Sequence, residues 1–246
     1  MNVDIRILLG LLGALLVGIF FGFAIVDQDW LVSISSDKDG LIMNVFTVAV
    51  GGFIGAYSAF WLKANDDDRK RNELQINALN SALLILIRQI NAIHGIKRDF
   101  DQYIAPLDRA FSLPAMQPPN YSDLKQNIDV LSFLIDSRNP HMLMKLTIQQ
   151  ERFEQAINAI NIRNNFYVNE VQPALSYHNL NGRPLPVREF EEKLGERLFQ
   201  GAISGAEGMY RLVESCDRSV SITYQELFAL SRELYPKGKF LKWVSC

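Results

Sequence analysis

Two long apolar runs stand at the start of the chain, before any amphipathic pattern begins. Residues 5–26 contain one charged side chain, Arg6, at the edge of the run, and residues 41–62 contain none. About twenty apolar residues are enough to cross a bilayer as a helix. The pattern therefore predicts a transmembrane hairpin in residues 1–64, with spans at about 5–26 and 41–62. The competing interpretation of the first run, a cleaved signal peptide, lacks an Ala-x-Ala site before Asp27.

Small residues recur at every fourth position in both runs. At this spacing they form one stripe along a helix, and in lipid such stripes let helix backbones approach closely. The sequence therefore predicts helix-packing faces, which serve within the hairpin, between subunits, or both. The residues are Gly10, Ala14, Gly18 and Gly22 in the first run and Thr47, Gly51, Gly55 and Ala59 in the second.

The charges that flank the two runs predict an orientation in the membrane. The loop between the runs is acidic and contains one basic residue, Lys38, whereas Lys63, Arg69, Lys70 and Arg71 follow the second run. Because Lys and Arg are enriched in cytoplasmic loops, both termini are expected in the cytoplasm and the acidic loop outside. The protein is thus expected to cross the membrane twice.

Beyond residues 65–71, which we call the neck, apolar residues alternate spacings of four and three. This heptad-like seam predicts a helical bundle with coiled-coil-like packing. The expected fold class is therefore all-α: a transmembrane hairpin followed by a cytosolic helical domain, residues 65–246. The neck either caps a new helix at Asn65 or continues the second span as one helix. The seam consists of Leu79, Leu83, Leu86, Ile90, Ile93, Lys97, Phe100, Ile104 and Leu107, widened by Leu84 and Ile87.

Prolines and glycines divide the remaining sequence into helices and loops. A proline-rich loop precedes a short helix from Ser122 or Asp123, a helix starts at Asn139-Pro140, and a helical pattern runs from residue 187 to about 234. Three glycines on one side of that last pattern, at 201, 205 and 208, admit a close neighbour or mark a bend. The lysine- and aromatic-containing tail after residue 236 is expected at an edge of the bundle or on a membrane surface. The core face of the short helix is predicted as Leu124, Ile128, Leu131 and Ile135.

Composition and motifs exclude several classes of function. The 25 Lys and Arg against 27 Asp and Glu leave a net charge of -2, which argues against direct nucleic-acid binding by bulk electrostatics. The two cysteines, Cys216 and Cys246, have no metal-site spacing, and the chain has no HExxH, P-loop or nucleophile elbow. No cofactor, metal or enzymatic activity is therefore expected.

One short constellation bears on RNA cleavage. Arg88 and His94, six residues apart, resemble the Arg-x(4–6)-His signature of the HEPN helical ribonucleases, although Gln89 stands where an Asn often follows the Arg. The resemblance implies a membrane-anchored ribonuclease, in which a histidine and a cation act at a dimer interface. The competing interpretation of His94 is an ordinary solvated helix residue beside the seam.

Taken over its full length, the chain resembles the small bacterial two-span membrane effectors of phage defence, of the retron-associated and abortive-infection types. The features that carry this resemblance are the two runs, the short acidic loop and the helical domain after the neck. It implies an inner-membrane protein that a cytosolic protein or ribonucleoprotein holds inactive, and that oligomerises and damages the membrane once released. A membrane-tethered scaffold or sensor that binds a cytosolic partner is the main alternative, and the HEPN-like ribonuclease is a third.

Overall fold

The computed structural model describes the backbone of residues 39–182 and 185–243 and the side chains from Val48 onward. Helices form throughout this part of the chain, and the described ranges contain no strand, which confirms the all-α prediction. The predicted first span, with Gly10, Ala14, Gly18 and Gly22, lies outside the described residues. The two-span hairpin is therefore not confirmed.

The first described helix, α1 (Asp39–Phe100), contains the second apolar run and the heptad seam as far as Phe100. Asn65 lies inside this helix, so the prediction of a continuing helix is correct and the prediction of a cap at Asn65 is wrong. Within the described ranges, α1 is the one helix long and apolar enough to cross a membrane, judged by length and composition. The chain divides into two units after Arg69, inside the neck.

The second unit, Lys70–Cys246, combines the end of α1 with several further helices. Two of these are long, and they pack against each other along much of their length. Their bounds are α2 (Pro106–Phe111), a 3₁₀ turn (Asp129–Leu131), α3 (Phe133–Asp136), α4 (Pro140–Phe166), a π-helical turn (Tyr167–Val171), α5 (Gln172–Tyr177), α6 (Val187–Leu194) and α7 (Glu196–Leu234).

The seam of α1 is buried against α4 and α7. Leu146 of α4 and both Val220 and Leu227 of α7 share one apolar cluster with the first seam residues. Because the seam faces two helices, it builds a bundle, and the coiled-coil part of the prediction is not confirmed. The buried seam residues are Leu79, Leu83, Leu86, Ile90, Ile93 and Phe100.

The seam prediction fails where the helix ends and where the apolar face was drawn too wide. Ile104 is 81% exposed because α1 stops at Phe100, so the spacing no longer places residue 104 on the same face. Leu84 is also exposed, whereas Ile87 packs against the core. Helical periodicity predicts burial only as far as the helix continues.

Two further predictions about the bundle need correction. The expected helix from Ser122 begins only at the 3₁₀ turn, and the change of geometry buries Leu134 in place of Ile135, which is exposed. The predicted helix from residue 187 is interrupted at Gly195, whose φ of 87° lies in the region that favours glycine.

Candidate functional site

The apolar half of α1 exposes large hydrophobic side chains around the helix. Val48 is 75% exposed, and Ile54, Phe60, Trp61 and Leu62 are exposed as well. An apolar surface of this kind is unfavourable in water and suits a lipid environment. The described part of the second predicted span is therefore well matched to a bilayer.

The predicted packing stripe lies open on this half of α1. Gly51 and Gly55 are exposed, and a Cβ atom added at either would meet no atom within 4 Å. Ala59 is exposed, and Thr47 belongs to the same helix. Among the described residues nothing covers this face, and the packing role stays a prediction.

The structure places the two ribonuclease candidates with different partners. Nη2 of Arg88 lies 2.6 Å from Oδ2 of Asp123, in the loop before the 3₁₀ turn. Nε2 of His94 lies 3.0 Å from Oδ1 of Asp217 in α7, an approach not aligned as a hydrogen bond. Each side chain is thus held by a separate carboxylate, and the ribonuclease hypothesis stays untested.

Asp217 also binds the cationic side chain of Lys97 in α1. Nζ of Lys97 donates to Oδ2 of Asp217 over 2.9 Å, and this hydrogen bond is the main reason that the pKa of Lys97 is raised above 10.5. Because Lys97 stands at a seam position, the pair explains the charged interruption of the heptad pattern. The negative charge of Asp217 compensates the positive charge that Lys97 brings into the contact between α1 and α7.

A groove of about 480 Å³ lies between the proline-rich loop and α4. Phe153 and Ile157 contribute apolar surface, and Lys125 and Glu154 form a pair at 3.9 Å, which leaves the lining without net charge from these two residues. Such a lining offers hydrogen bonds to a neutral polar group. Side-chain amides are its most frequent polar groups: Gln117, Asn120, Gln150, Asn158 and Asn161.

Gln89 links this groove to the core of the bundle. It is fully buried, and its Nε2 donates to the backbone oxygen of Leu124 over 3.2 Å and to Oε1 of Gln150 over 3.1 Å. Among the described residues, Oε1 of Gln89 and Oε1 of Gln126 are buried without a hydrogen-bond partner. The motif comparison presents Gln89 only as a departure, although its spacing, three residues after Leu86 and four before Ile93, is a signal of burial.

The buried thiol does not provide a nucleophile at neutral pH. Burial raises the pKa of Cys216 from 9.0 to about 12, against a weaker opposing effect of the Gln149 amide. The thiol therefore stays protonated, and only the thiolate is strongly nucleophilic. Within the described ranges, no group of three or more His, Cys, Asp or Glu side chains is arranged to hold a metal ion.

Comparison with known protein families, with curated protein sequences and with solved structures finds no match to this chain.

Proposed function

We propose that this chain is an inner-membrane effector of a bacterial antiphage defence system, which associates in the membrane and disrupts it when its cytosolic bundle is triggered. The observation that supports this proposal most directly is helix α1. Its first half exposes apolar side chains that suit lipid, and its second half supplies the buried seam of a bundle that suits water. A single helix therefore belongs to both environments.

Association in the membrane would use the open stripe of α1. Because lipid chains are as apolar as the helix, helices associate in a bilayer mainly through close packing and hydrogen bonds. Gly51 and Gly55 have the exposure and free space that such packing needs. The proposal includes several copies packed through this face, a second span at 5–26 and both termini in the cytoplasm.

Expression in a bacterial host, with a voltage-sensitive dye as the readout, tests the effector proposal. The full chain is expected to collapse the membrane potential, and a chain that starts at Asn65 is expected to be harmless. Gly51→Leu and Gly55→Leu should slow the collapse, because a larger side chain on the stripe weakens helix packing. A loss of about 1.4 kcal/mol in packing free energy lowers the association constant about tenfold.

Gly52→Leu is the matched control for these variants. Gly52 is also exposed, and an added Cβ there also meets no atom within 4 Å. It lies about 100° around the helix from Gly51 and about 60° from Gly55, at the edge of the stripe, so a smaller effect is expected there. Immunoblots establish that all variants are present in equal amounts. The proposal would be contradicted if Gly52→Leu slowed the collapse as much as Gly51→Leu, or if the chain that starts at Asn65 were as toxic as the full chain.

The main alternative is a membrane-tethered scaffold or sensor, which the groove beside the proline-rich loop favours. Its amides fit a neutral polar partner surface, and none of this requires damage to the membrane. In that case the full chain leaves the membrane potential intact at any expression level. Localisation of a cytosolic partner to the membrane, lost on Asn158→Leu, would then support the scaffold.

The exposure of Arg88 and His94 keeps a HEPN-like ribonuclease as the third candidate. Both side chains are about half exposed on α1, where a second copy has access to them. RNA cleavage by the purified chain, lost in Arg88→Ala and in His94→Ala with unchanged membrane insertion, would support this function. Toxicity that survives both substitutions would remove it.

A further inference from the structure

The last described residues lie along the bundle without regular secondary structure. Helix α7 ends at Leu234, and Gly238 donates its N–H to the backbone oxygen of Tyr235 over 2.8 Å, which closes a turn. Residues 239–243, which we call the tail segment, have no regular secondary structure. None of the residues 236–243 is fully buried, so this segment is an outer layer on the bundle.

Two side chains bind the backbone of the tail segment at alternate residues. Asn80 of α1 donates from Nδ2 to the backbone oxygen of Lys239 and accepts at Oδ1 from the N–H of Leu241, both over 2.9 Å. The hydroxyl of Tyr224 in α7 donates to the backbone oxygen of Leu241 over 3.1 Å and accepts from the N–H of Trp243 over 2.6 Å. These contacts bind an extended backbone and do not depend on its side chains.

The side chains of the tail segment divide into two groups. Phe240 and Trp243 pack against the apolar cluster between α1 and α7, and the Trp243 ring lies 6.3 Å from that of Tyr224. The side chains of Lys239, Leu241 and Lys242 are exposed. Backbone hydrogen bonds combined with pockets for particular side chains are a common mode of peptide recognition by proteins.

We propose that the surface of α1 and α7 under the tail segment is a peptide-binding groove, and that the tail segment is its intramolecular occupant. The ligand class is an extended peptide with two aromatic residues three positions apart, presented by a cytosolic partner. Such a peptide reproduces every contact of the tail segment and displaces it. The seam residues Leu79 and Leu83 also share their apolar cluster with residues of α4 and α7, so the core keeps these partners when the tail segment is displaced.

Peptide binding to the full-length chain in uncharged detergent micelles tests the groove. The probe is a fluorescent peptide of residues 237–243, Lys-Gly-Lys-Phe-Leu-Lys-Trp, followed by anisotropy. The unchanged chain is expected to bind weakly, because its own tail segment competes at a high effective concentration. A chain that carries both Phe240→Ala and Trp243→Ala holds its tail segment less well and should bind the probe at least about tenfold more tightly.

Three matched controls make the result specific. A scrambled peptide of the same composition should not bind above its binding to empty micelles. A probe with Leu241→Ala should bind as well as the original, since that side chain is exposed, whereas a probe with Phe240→Ala should not. Asn80→Ala, added to the double variant, should weaken binding.

The proposal would be overturned if circular dichroism shows that the double variant is folded and it binds the probe and the scrambled peptide equally well. It would also be overturned if Asn80→Ala did not change binding of the probe. Should the double variant not fold, a chain truncated after Gly238, which lacks the tail segment, replaces it with the same expectations. The inference deepens the proposed function by naming what a partner presents. A chain that binds the probe but leaves the membrane potential intact would remove the effector proposal and keep the groove.

Discussion

Arg163 lies almost fully buried in α4 among backbone oxygens of the second unit. Its guanidinium donates to the oxygens of Leu113 over 2.6 Å and of Pro114 over 3.1 Å, and it also bonds Ala110 near the end of α2. The free carbonyls at the end of a helix carry partial negative charge, which a cation compensates. Burial lowers the pKa of Arg163, but an arginine keeps its proton in proteins. One side chain thus fixes α2 and the proline-rich loop.

Arg163→Met is expected to lower the free energy of unfolding by about 3 kcal/mol, because several buried carbonyl oxygens lose a charged donor. Urea unfolding of the detergent-solubilised chain, followed by circular dichroism, measures this change. Arg188→Met provides the control: the Arg188 side chain is 91% exposed and pairs with Glu192 of its own helix. An equal effect of the two substitutions would contradict the role given to Arg163.

Cys216 should make the bundle sensitive to alkaline pH. In the unfolded chain its thiol ionises near 9.0, and in the folded chain its pKa is about 12. Between these values the folded state binds the proton and the unfolded state does not, so stability is lost as pH rises. At the upper end of this window the loss is on the order of 4 kcal/mol, from about 1.4 kcal/mol per pKa unit.

Cys216→Ser removes this titration at similar volume. Above pH 9.0 the free energy of unfolding should therefore fall less steeply with pH for the variant than for the unchanged chain. The raised pKa values of Lys97 and Tyr121 act in the same direction, but they are present in both proteins. Parallel curves would show that the thiol is not the group responsible.

The residues predicted from sequence differ from those that the contacts single out. Gly51 and Gly55 could be named in advance because small residues at a spacing of four define a helix face without any partner. Asn80 and Tyr224 could not, because their partners lie 161 and 17 residues further along the chain, and no local pattern records such pairings. Polar side chains that bind backbone are identified only once the fold brings the segments together.

Among the helices, those with long unbroken periodicity were predicted and the short ones were not. The seam spacing predicts most of the burial in α1 because that helix continues to Phe100. The segment before Pro140 combines a 3₁₀ turn with a four-residue helix, whose different residues per turn shift which side chains face the core. A π-helical turn lies just before Pro173, which lacks a backbone N–H, so the helical pattern changes there as well.

The glycines of α7 differ in their surroundings although they share one face. A Cβ atom at Gly201 would lie 2.9 Å from Cζ of the Phe166 ring, whereas at Gly205 and Gly208 it would meet nothing within 4 Å. Of these three positions, Gly201 alone has a close neighbouring side chain that accounts for the absence of a larger residue. The helix is unbroken at this site, since α7 runs from Glu196 to Leu234, and the alternative of a bend stays a prediction.

This difference predicts opposite effects of the same substitution. Gly205→Ala should stabilise the chain by about 0.5–1 kcal/mol, since alanine favours a helix and the site is open. Gly201→Ala should be less stable than Gly205→Ala by about 1–2 kcal/mol, because the Phe166 ring must move. Thermal unfolding of both variants checks the order, and a Gly201→Ala chain as stable as Gly205→Ala would contradict it.

For the whole molecule, the membrane-matched half of α1 and the bundle raise separate questions. The potential assay with Gly51, Gly52 and Gly55 variants concerns the first, and the peptide assay concerns the second. Their outcomes are independent, so together they separate an effector, a scaffold and a chain with neither property. The all-α class followed from periodicity, but which surface meets a partner did not, because exposed polar faces of helices look alike in sequence.

The tail segment is synthesised long after α1, the helix that binds it. Asn80 and Leu241 are 161 residues apart, so their hydrogen bond forms only after synthesis has reached the tail segment. By then the apolar half of α1 has long been made and is available to the membrane. Every newly made copy therefore passes through a stage with an open groove, and a copy cut short by early termination or by a protease keeps that groove open permanently.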